Sequence, residues 1–465
     1  RERYEAAQQQ LQTIFEFHPE HPEAQPFQAV LHLLRGDLTA AAEARHRGLT
    51  HWDKNPLVDH IIGRELSQKY RFAEGAAFQR NALQFQQDSQ PARRQLAEDL
   101  LRLGHDSEGW QLAREAANAD EYDVTLYNLL TLQEELSRFV TLEAPGLRVR
   151  MDPREAAVYG QQVLDLLTAA RTYLSVKYQV QLEEPTLVEI FPKPDDFAVR
   201  TFGLPGAGNY LGVCFGNVIT ANSPASQNLR PVNWESVLWH EYAHVITLNK
   251  TRNRMPRWLS EGISVYEERQ RDSAWGERLT PAYRTMIQQG ELTPIKDLSS
   301  AFLSPKSALH VQFAYYQSSL VVEFLIEQYG LPALLAILDD LGDGLSMNES
   351  LERRTAPLAQ LEDEFLAFTT ARTADYGAAV DWQEPDLAAV LQASDRAAAA
   401  SDWASQNPTN YVGLVNLAKV LLRQRNWTAA RELLEQAYTL FPYETGKDCP
   451  AELLANVYRE LQLPA

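Results

Sequence analysis

The feature that most restricts how this chain can fold is a beat of 34 residues near its N-terminus. Pro22, Pro56 and Pro91 stand 34 and 35 residues apart, each just after a polar, turn-like stretch. Gly36, Tyr70 and Gly104 keep the same period, at 34 and 34. An alanine-rich segment follows each of these turns: TAAAEARHRGL, AEGAAFQRNAL and GWQLAREAANA. Small residues at that place let two helices approach closely. The period therefore predicts a row of helical hairpins, each burying the apolar face of the last. A fourth, weaker unit starts near Asp123. The pattern returns from Asn407 to Pro442, where Pro408 and Pro442 are again 34 apart and Ala429, Ala430 and Ala437 occupy the second helix. A last helix is expected from about Pro450.

Between these helical arms the patterning changes. GLRVRM (146–151) alternates and reads as a strand, and TLVEIF (186–191) reads as a second, ended by Pro192 and Pro194. Residues 209–222 predict one or two further strands. Residues 154–178 read as an amphipathic helix with Val158, Val163, Leu166 and Leu167 on one side. From Trp234 to about residue 374 the chain is almost entirely helical. A small sheet followed by helices is an α+β domain between all-α arms. The 465 residues exceed one compact core. The expected division is 1–140 and 406–465 for the repeat arms, 141–375 for the α+β domain, and 376–405 for a linker or helical connector.

Composition removes several classes of function. A net charge of -19, with no Lys/Arg cluster long enough to make a basic face, argues against nucleic acid as a partner. No apolar run approaches the roughly 20 residues of a membrane span, and the candidate Leu320–Leu325 is interrupted by Glu323. The two cysteines, Cys214 and Cys449, exclude a disulfide framework and a cysteine-based zinc site. The chain opens on Arg1 rather than Met, so an upstream segment is expected. A removed export signal would fit there, giving a periplasmic location, but the compartment stays open.

The chemistry concentrates in WHEYAHVITLNKTRNRMPRWLSEGISVYEER (239–269). Asn233 suits the N-cap of a helix from Trp234 to about Asn249, with Glu235 favourably placed in its first turn. His240 and His244, four apart, then share one helix face, where two imidazoles can hold one Zn²⁺ with Glu241 beside them. Pro256 suits the first turn of a returning helix. Glu261 follows His244 after 16 residues, enough for that helix to present a third ligand. Two histidines and one glutamate leave a fourth position open, as in catalytic rather than structural zinc sites. The competing reading is a pair of surface histidines on ordinary helices.

The WLSEGISVYEER segment resembles the gluzincin metallopeptidases, particularly the aminopeptidase N and leukotriene-hydrolase group, in which Trp-Leu-x-Glu-Gly carries the third zinc ligand. Tyr266 and Glu268 also match, and the resemblance makes Glu268 a carboxylate that orients a ligating imidazole. It also implies an oxyanion-stabilising tyrosine downstream. In FAYYQSSLVVEFLIEQYG (313–330) Tyr316 is the first choice, Tyr315 its rival, and His310 a surface histidine. The overall pattern resembles the peptidase MA-like domains of bacterial tetratricopeptide-repeat proteins, over roughly residues 140–375, with the 34-residue arms fitting tetratricopeptide repeats.

The resemblance implies a peptidase with one Zn²⁺ per chain, a peptide or protein substrate, and a protein partner on the arms. The rivals are a repeat scaffold with a non-catalytic domain, and a zinc hydrolase of a non-peptide bond. The aminopeptidase group binds a substrate α-amine through a glutamate on a strand edge upstream of the zinc helix. Here the counterpart Gly206, Ala207, Gly208 and Asn209 offers an edge for an extended peptide but no acid. Internal cleavage is therefore expected over N-terminal trimming, unless a carboxylate such as Glu267 arrives from elsewhere.

Overall fold

Eight helices open the chain: α1 (Tyr4–Phe17), α2 (Ala24–Leu34), α3 (Leu38–Gly48), α4 (Pro56–Ser67), α5 (Phe72–Phe85), α6 (Gln90–Leu103), α7 (Asp106–Ala119) and α8 (Val124–Leu136). They are seen in a computed structural model that describes residues 4–206, 210–226, 232–445 and 448–463. Three pairs, α2 with α3, α4 with α5 and α6 with α7, pack as hairpins. Gly36, Tyr70 and Gly104 make their turns at φ +76°, +64° and +84°. Asp37, Asn55 and Asp123 cap α3, α4 and α8 through their side chains, and Pro56 opens α4. A Cβ on Gly63 would lie 2.8 Å from the Gly75 carbonyl, so α4 and α5 meet backbone to backbone there. Ala29, Ala41, Ala44, Val58, Ile62 and Leu66 fill the core between the first hairpin and α4.

The sheet comprises β1 (Val140–Ala144), β2 (Leu147–Met151), β3 (Thr186–Phe191), β4 (Gly212–Cys214) and β5 (Val218–Asn222), with α9 (Pro153–Tyr178) and α10 (Pro194–Phe202) between them. Its order is β1-β2-β3-β5-β4. The inner strands β2, β3 and β5 are parallel, crossing over through α9 and α10, and the outer strands β1 and β4 are antiparallel to their neighbours. Among the described residues β4 therefore ends the sheet, with no strand on its outer side. All six residues of β3 are buried, as a central parallel strand requires. Among them Glu189 is held by Arg200 at 2.6 Å and by Arg150 at 3.3 Å.

Two sequence expectations change here. β1 was not foreseen, because VTLEA is short and its pairing depends on the turn at Gly146. Val158, placed on the apolar side of α9, is 80% exposed. Five and nine residues on from it, Val163 and Leu167 lie well round a helix of 3.6 residues per turn. The buried stripe runs instead through Gly160, Val163, Leu164, Leu167, Ala170 and Leu174.

The helices that follow are α11 (Trp234–Lys250), α12 (Arg257–Arg271), α13 (Pro281–Gln288), α14 (Ser299–Leu303), α15 (Ala308–Tyr329), α16 (Leu331–Gly342), α17 (Met347–Arg354) and α18 (Leu358–Asp375). α12 lies on α15 so closely that a Cβ on Gly262 would be 2.6 Å from the Ser318 carbonyl oxygen. Among the described residues no single helix is long and apolar enough to cross a membrane.

Arg1–Glu277 and Thr293–Glu362 form one compact unit, so the N-terminal hairpins are part of the same body as the sheet. Their turns touch it in succession. A Cβ on Gly36 would lie 3.3 Å from the Gly344 carbonyl, and one on Gly104 would lie 3.3 Å from Val218. Asp106 of α7 pairs with Arg150 of β2 at 2.5 Å, and Arg200 donates to the Leu101 carbonyl at 3.0 Å.

Arg278–Leu292 and Asp363–Ala465 form the second unit. It adds α19 (Ala388–Gln392), α20 (Arg396–Gln406), α21 (Tyr411–Arg423), α22 (Trp427–Leu440) and α23 (Pro450–Glu460). Leu414, Ala418, Leu421, Ala430, Leu434 and Ala437 form the core of the α21–α22 hairpin. The stretch 376–405 carries α19, most of α20 and a bridge from Asp381 to Asn410.

Candidate metal centre

The Asn233 side chain accepts the Ser236 N–H and starts α11. Leu238, Trp239, Tyr242, Val245 and Ile246 bury this helix in the core. At its end Thr247 and Thr251 bond back to backbone carbonyls, and Arg252 and Asn253, at φ +51° and +57°, turn the chain. Pro256 then leads into α12 with extended backbone. Two helices joined this way bring His240 and His244 against Glu261.

The ligand atoms converge. His240 Nε2 and His244 Nε2 lie 3.1 Å apart, and Glu261 Oε2 lies 3.3 Å from the first and 3.4 Å from the second. A tetrahedral zinc with bonds of about 2.0–2.1 Å needs ligand atoms roughly 3.3 Å apart, so the donor set fits the ion in spacing and in chemistry. The outward atoms are all engaged. His240 Nδ1 is 2.7 Å from Glu268 Oε1, and the Ser236 hydroxyl donates to the other Glu268 oxygen. His244 Nδ1 meets the Ser260 and Ser264 hydroxyls at 2.8 and 3.2 Å. Arg257 Nε donates to Glu261 Oε1 at 3.1 Å. Each ring is thus held by its Nδ1, which leaves Nε2 as the donor atom facing the common point.

Burial dominates the electrostatics, and charge then divides the residues. Burial is the largest cause raising the Glu241 pKa above its ordinary value; the two histidines oppose it in part, and the carboxylates of Glu261 and Glu268 add to it. Burial would also raise Glu261, but hydrogen bonds from His240 and His244 outweigh it and hold that carboxyl well below its ordinary value. For His240 burial is the larger single cause and acts downward. The carboxylates of Glu268 and Glu261 together overcome it and raise the ring well above its usual range.

Glu241 is also confined by the sheet. A Cβ on Gly212 would lie 2.8 Å from Glu241 Cγ and Oε1, so glycine at the start of β4 makes room for this carboxylate. The outer strand of the sheet therefore runs directly past Glu241.

The two candidate tyrosines differ in their surroundings. Tyr316 is buried and packs near Phe313, with ring centroids 6.4 Å apart. Its neighbour Tyr315 accepts a hydrogen bond from Arg257 at 3.1 Å, and Glu261 and Glu241 are among the charges that raise its phenol pKa after burial. One residue along a helix is a rotation of about 100°, and Arg257 links Tyr315 to the cluster through Glu261. Glu267, the alternative carboxylate, is fully buried against α9, taking Tyr178 at 2.6 Å and Lys177 at 2.7 Å. His310 pairs with Ser307 at the start of α15. Gly206 holds φ +90° and donates its N–H to Asp195 at 3.2 Å, while Ala207, Gly208 and Asn209 lie outside the described residues.

Sequence reasoning missed Ser236, Ser260, Ser264, Arg257 and Gly212. Ser260 and Ser264 flank Glu261 at helical spacing and could have been read as orienting hydroxyls. Gly212 gave no such signal, since its contact is made across the fold.

Residues 212–370 match the model of the Peptidase MA superfamily. This part of the chain is a peptidase-MA-like domain. The match begins at the first residue of β4 and takes in α11, α12 and α15, and so the whole of the metal cluster. No curated protein matches the chain.

Proposed function

We propose that this chain is a zinc-dependent peptidase that cleaves within a peptide. The observation that carries the reading is the convergence of His240 Nε2, His244 Nε2 and Glu261 Oε2 within 3.4 Å of one another, with Glu241 buried alongside. One Zn²⁺ held by these three residues would supply Lewis acidity for the scissile carbonyl and acidify a water molecule.

The chain's own groups do the rest. Glu241 is a carboxylate whose pKa burial has moved upward, toward the range useful for general acid–base work. It takes the proton of the attacking water and returns it to the leaving amine. Tyr315, not Tyr316, is the phenol for the developing oxyanion. Arg257 donates to its oxygen, which leaves the phenolic proton free for substrate. Glu268 fixes the His240 ring. An extended peptide lying along β4 would pass Glu241. The helical hairpins are tetratricopeptide-like and would receive a protein substrate or partner.

Internal cleavage is supported by the absence of Asp or Glu between Gly206 and Ser223. Two carboxylates reach the ends of this segment, and both are already bonded. Asp195 takes the Gly206 N–H, and Glu155 takes the Ser223 and Tyr159 hydroxyls. A free ammonium taken into the cleft would lack a ready counter-ion.

Metal analysis paired with peptide digestion tests the proposal. Near-stoichiometric zinc should co-purify, His240→Ala or His244→Ala should lose most of it, and Glu241→Gln should keep zinc while losing nearly all hydrolysis. A chelator-free preparation that holds and takes up no metal refutes the zinc site. Matched peptides with free and acetylated N-termini test the cleavage mode, and hydrolysis of the free form alone refutes internal cleavage.

A further inference from the structure

The repeat turn at Tyr70 departs from its neighbours. Gly36 and Gly104 hold the equivalent turns at φ +76° and +84°, a conformation natural to glycine. Tyr70 holds φ +64°, where a bulky side chain is costly and the surroundings must enforce it. They do enforce it. The next residue, Arg71, is buried, donates to the Leu33 carbonyl at 2.8 Å and pairs with Glu74 at 2.6 Å.

The side chain this strain positions stands at the edge strand. The Tyr70 ring centroid is 5.3 Å from that of Phe72 and 5.9 Å from that of Phe215, the residue directly after β4. Arg102 covers both of those phenylalanines, at 5.4 and 5.7 Å. Phe72 and Phe215 are buried, whereas Tyr70 keeps 38% of its surface exposed. The pair of phenylalanines and the guanidinium are thus a rigid backing, and Tyr70 is its open face.

Burial is the largest cause pushing the Tyr70 phenol up to about 12. Arg102 opposes that rise. Phe215 follows directly on β4, whose Gly212 abuts Glu241, so this face stands at the strand that passes the candidate metal cluster. Tyr70 is thus the solvent-open member of an aromatic group packed at the end of β4. Its hydroxyl makes no hydrogen bond to another of the described residues. At the opposite end of the same strand Tyr210 and Leu211 are also exposed.

We propose that Tyr70, carried by the N-terminal helical arm, is a wall of the peptidase cleft that contacts the substrate beside the scissile bond. Its ring receives an apolar side chain of a peptide lying along β4, and its hydroxyl bonds to that peptide's backbone. The assignment rests on the peptidase reading above, and it makes the arm part of the specificity machinery as well as a platform for recruitment.

The test compares wild type with Tyr70→Asn, Tyr70→Gly and Tyr70→Phe on a randomised peptide library, with zinc content and melting temperature measured for each. Asn and Gly both tolerate positive φ, so those two variants should fold and keep their metal. Both should raise KM tenfold or more with kcat little changed, and should lose the preference for an apolar residue flanking the cut. Tyr70→Phe should keep that preference and show a smaller rise in KM. Folded, zinc-loaded Asn and Gly variants with unchanged KM and unchanged preference overturn this proposal while leaving the peptidase intact. A zinc-loaded wild type that cleaves no peptide overturns the peptidase reading and this assignment with it.

Discussion

Gly212→Ala tests whether the sheet edge positions Glu241, the proposed general base. The added methyl carbon would sit 2.8 Å from Glu241 Cγ and Oε1 and 3.0 Å from Cδ, where ordinary contact begins near 3.4 Å. Something must shift by about 0.6 Å, the difference between those two contacts. Gly212 is held in register opposite Ala221 of β5, and Glu241 is buried on a helix packed on every side, so the carboxylate end gives first. A displacement near 1 Å at a reacting group costs about 100-fold in rate, so kcat should fall by about 10- to 100-fold. Overpacking should lower stability by about 1–3 kcal/mol, read as a drop in melting temperature. Zinc content should not change, because Gly212 contacts none of the three ligands' donor atoms. The decisive measurement is the double variant with Glu241→Asp, whose shorter side chain relieves the clash. If the reasoning holds, the two losses combine to less than their product. Undiminished activity of Gly212→Ala, or loss of zinc from it, would refute the mechanism.

Three further perturbations follow from the same contacts. Gly262→Ala places a carbon 2.6 Å from the Ser318 carbonyl oxygen, a backbone atom that cannot swing aside, so it should destabilise by about 1–3 kcal/mol or prevent folding; a melting temperature equal to wild type would disprove that. Glu268→Gln removes the charge facing His240 Nδ1 at 2.7 Å and should weaken zinc binding by about 10- to 100-fold in a competitive chelator titration. Asp99 is fully buried between α4 and α6, and burial raises its pKa from 3.8 to about 7 against the hydrogen bonds of Gln95 and Ser67. A folded pKa above the unfolded one gives stability that is complete below about pH 4 and is lost as pH rises through 7, by up to about 4 kcal/mol. Asp99→Asn should flatten melting temperature against pH across that interval, and an unchanged slope would count against a neutral buried Asp99.

The metal cluster was legible in the sequence because its parts are set by local geometry. Four residues return a helix to the same face, which puts His240 and His244 together. A short turn with Pro256 behind it limits where Glu261 can go. The hairpins were legible for a similar reason, since a repeated period survives without any long-range contact. The choice between Tyr315 and Tyr316 was harder, because they differ only by a rotation about one helix axis. That rotation is fixed by Gly262 letting α12 settle on α15 and by Arg257 reaching across, and neither contact leaves a mark in the local sequence. β1 escaped for want of length, and Val158 because four apolar residues on one helix were grouped without following their angles.

The proposed relation between the arm and the candidate site is of a third kind, carried by the repeat turn at Tyr70. A mid-repeat turn needs only positive φ, and glycine supplies it at Gly36 and Gly104 without side-chain strain. Those two turns are then small enough for their Cα atoms to settle against Gly344 and Val218. Tyr70 occupies the same place in the period but sets an aromatic ring against Phe215 instead. If hairpin closure were the only demand, glycine would be the better residue at all three turns. The departure coincides with the contact to Phe215, which directly follows the strand that passes Glu241. The Asp106–Arg150–Glu189–Arg200 network and the Leu101 carbonyl lock the arm to that sheet through partly and fully buried charges. Ion pairs so placed confer orientation more surely than stability. An arm that served only as a flexible tether would have no use for such orientation; an arm that lines the cleft depends on it.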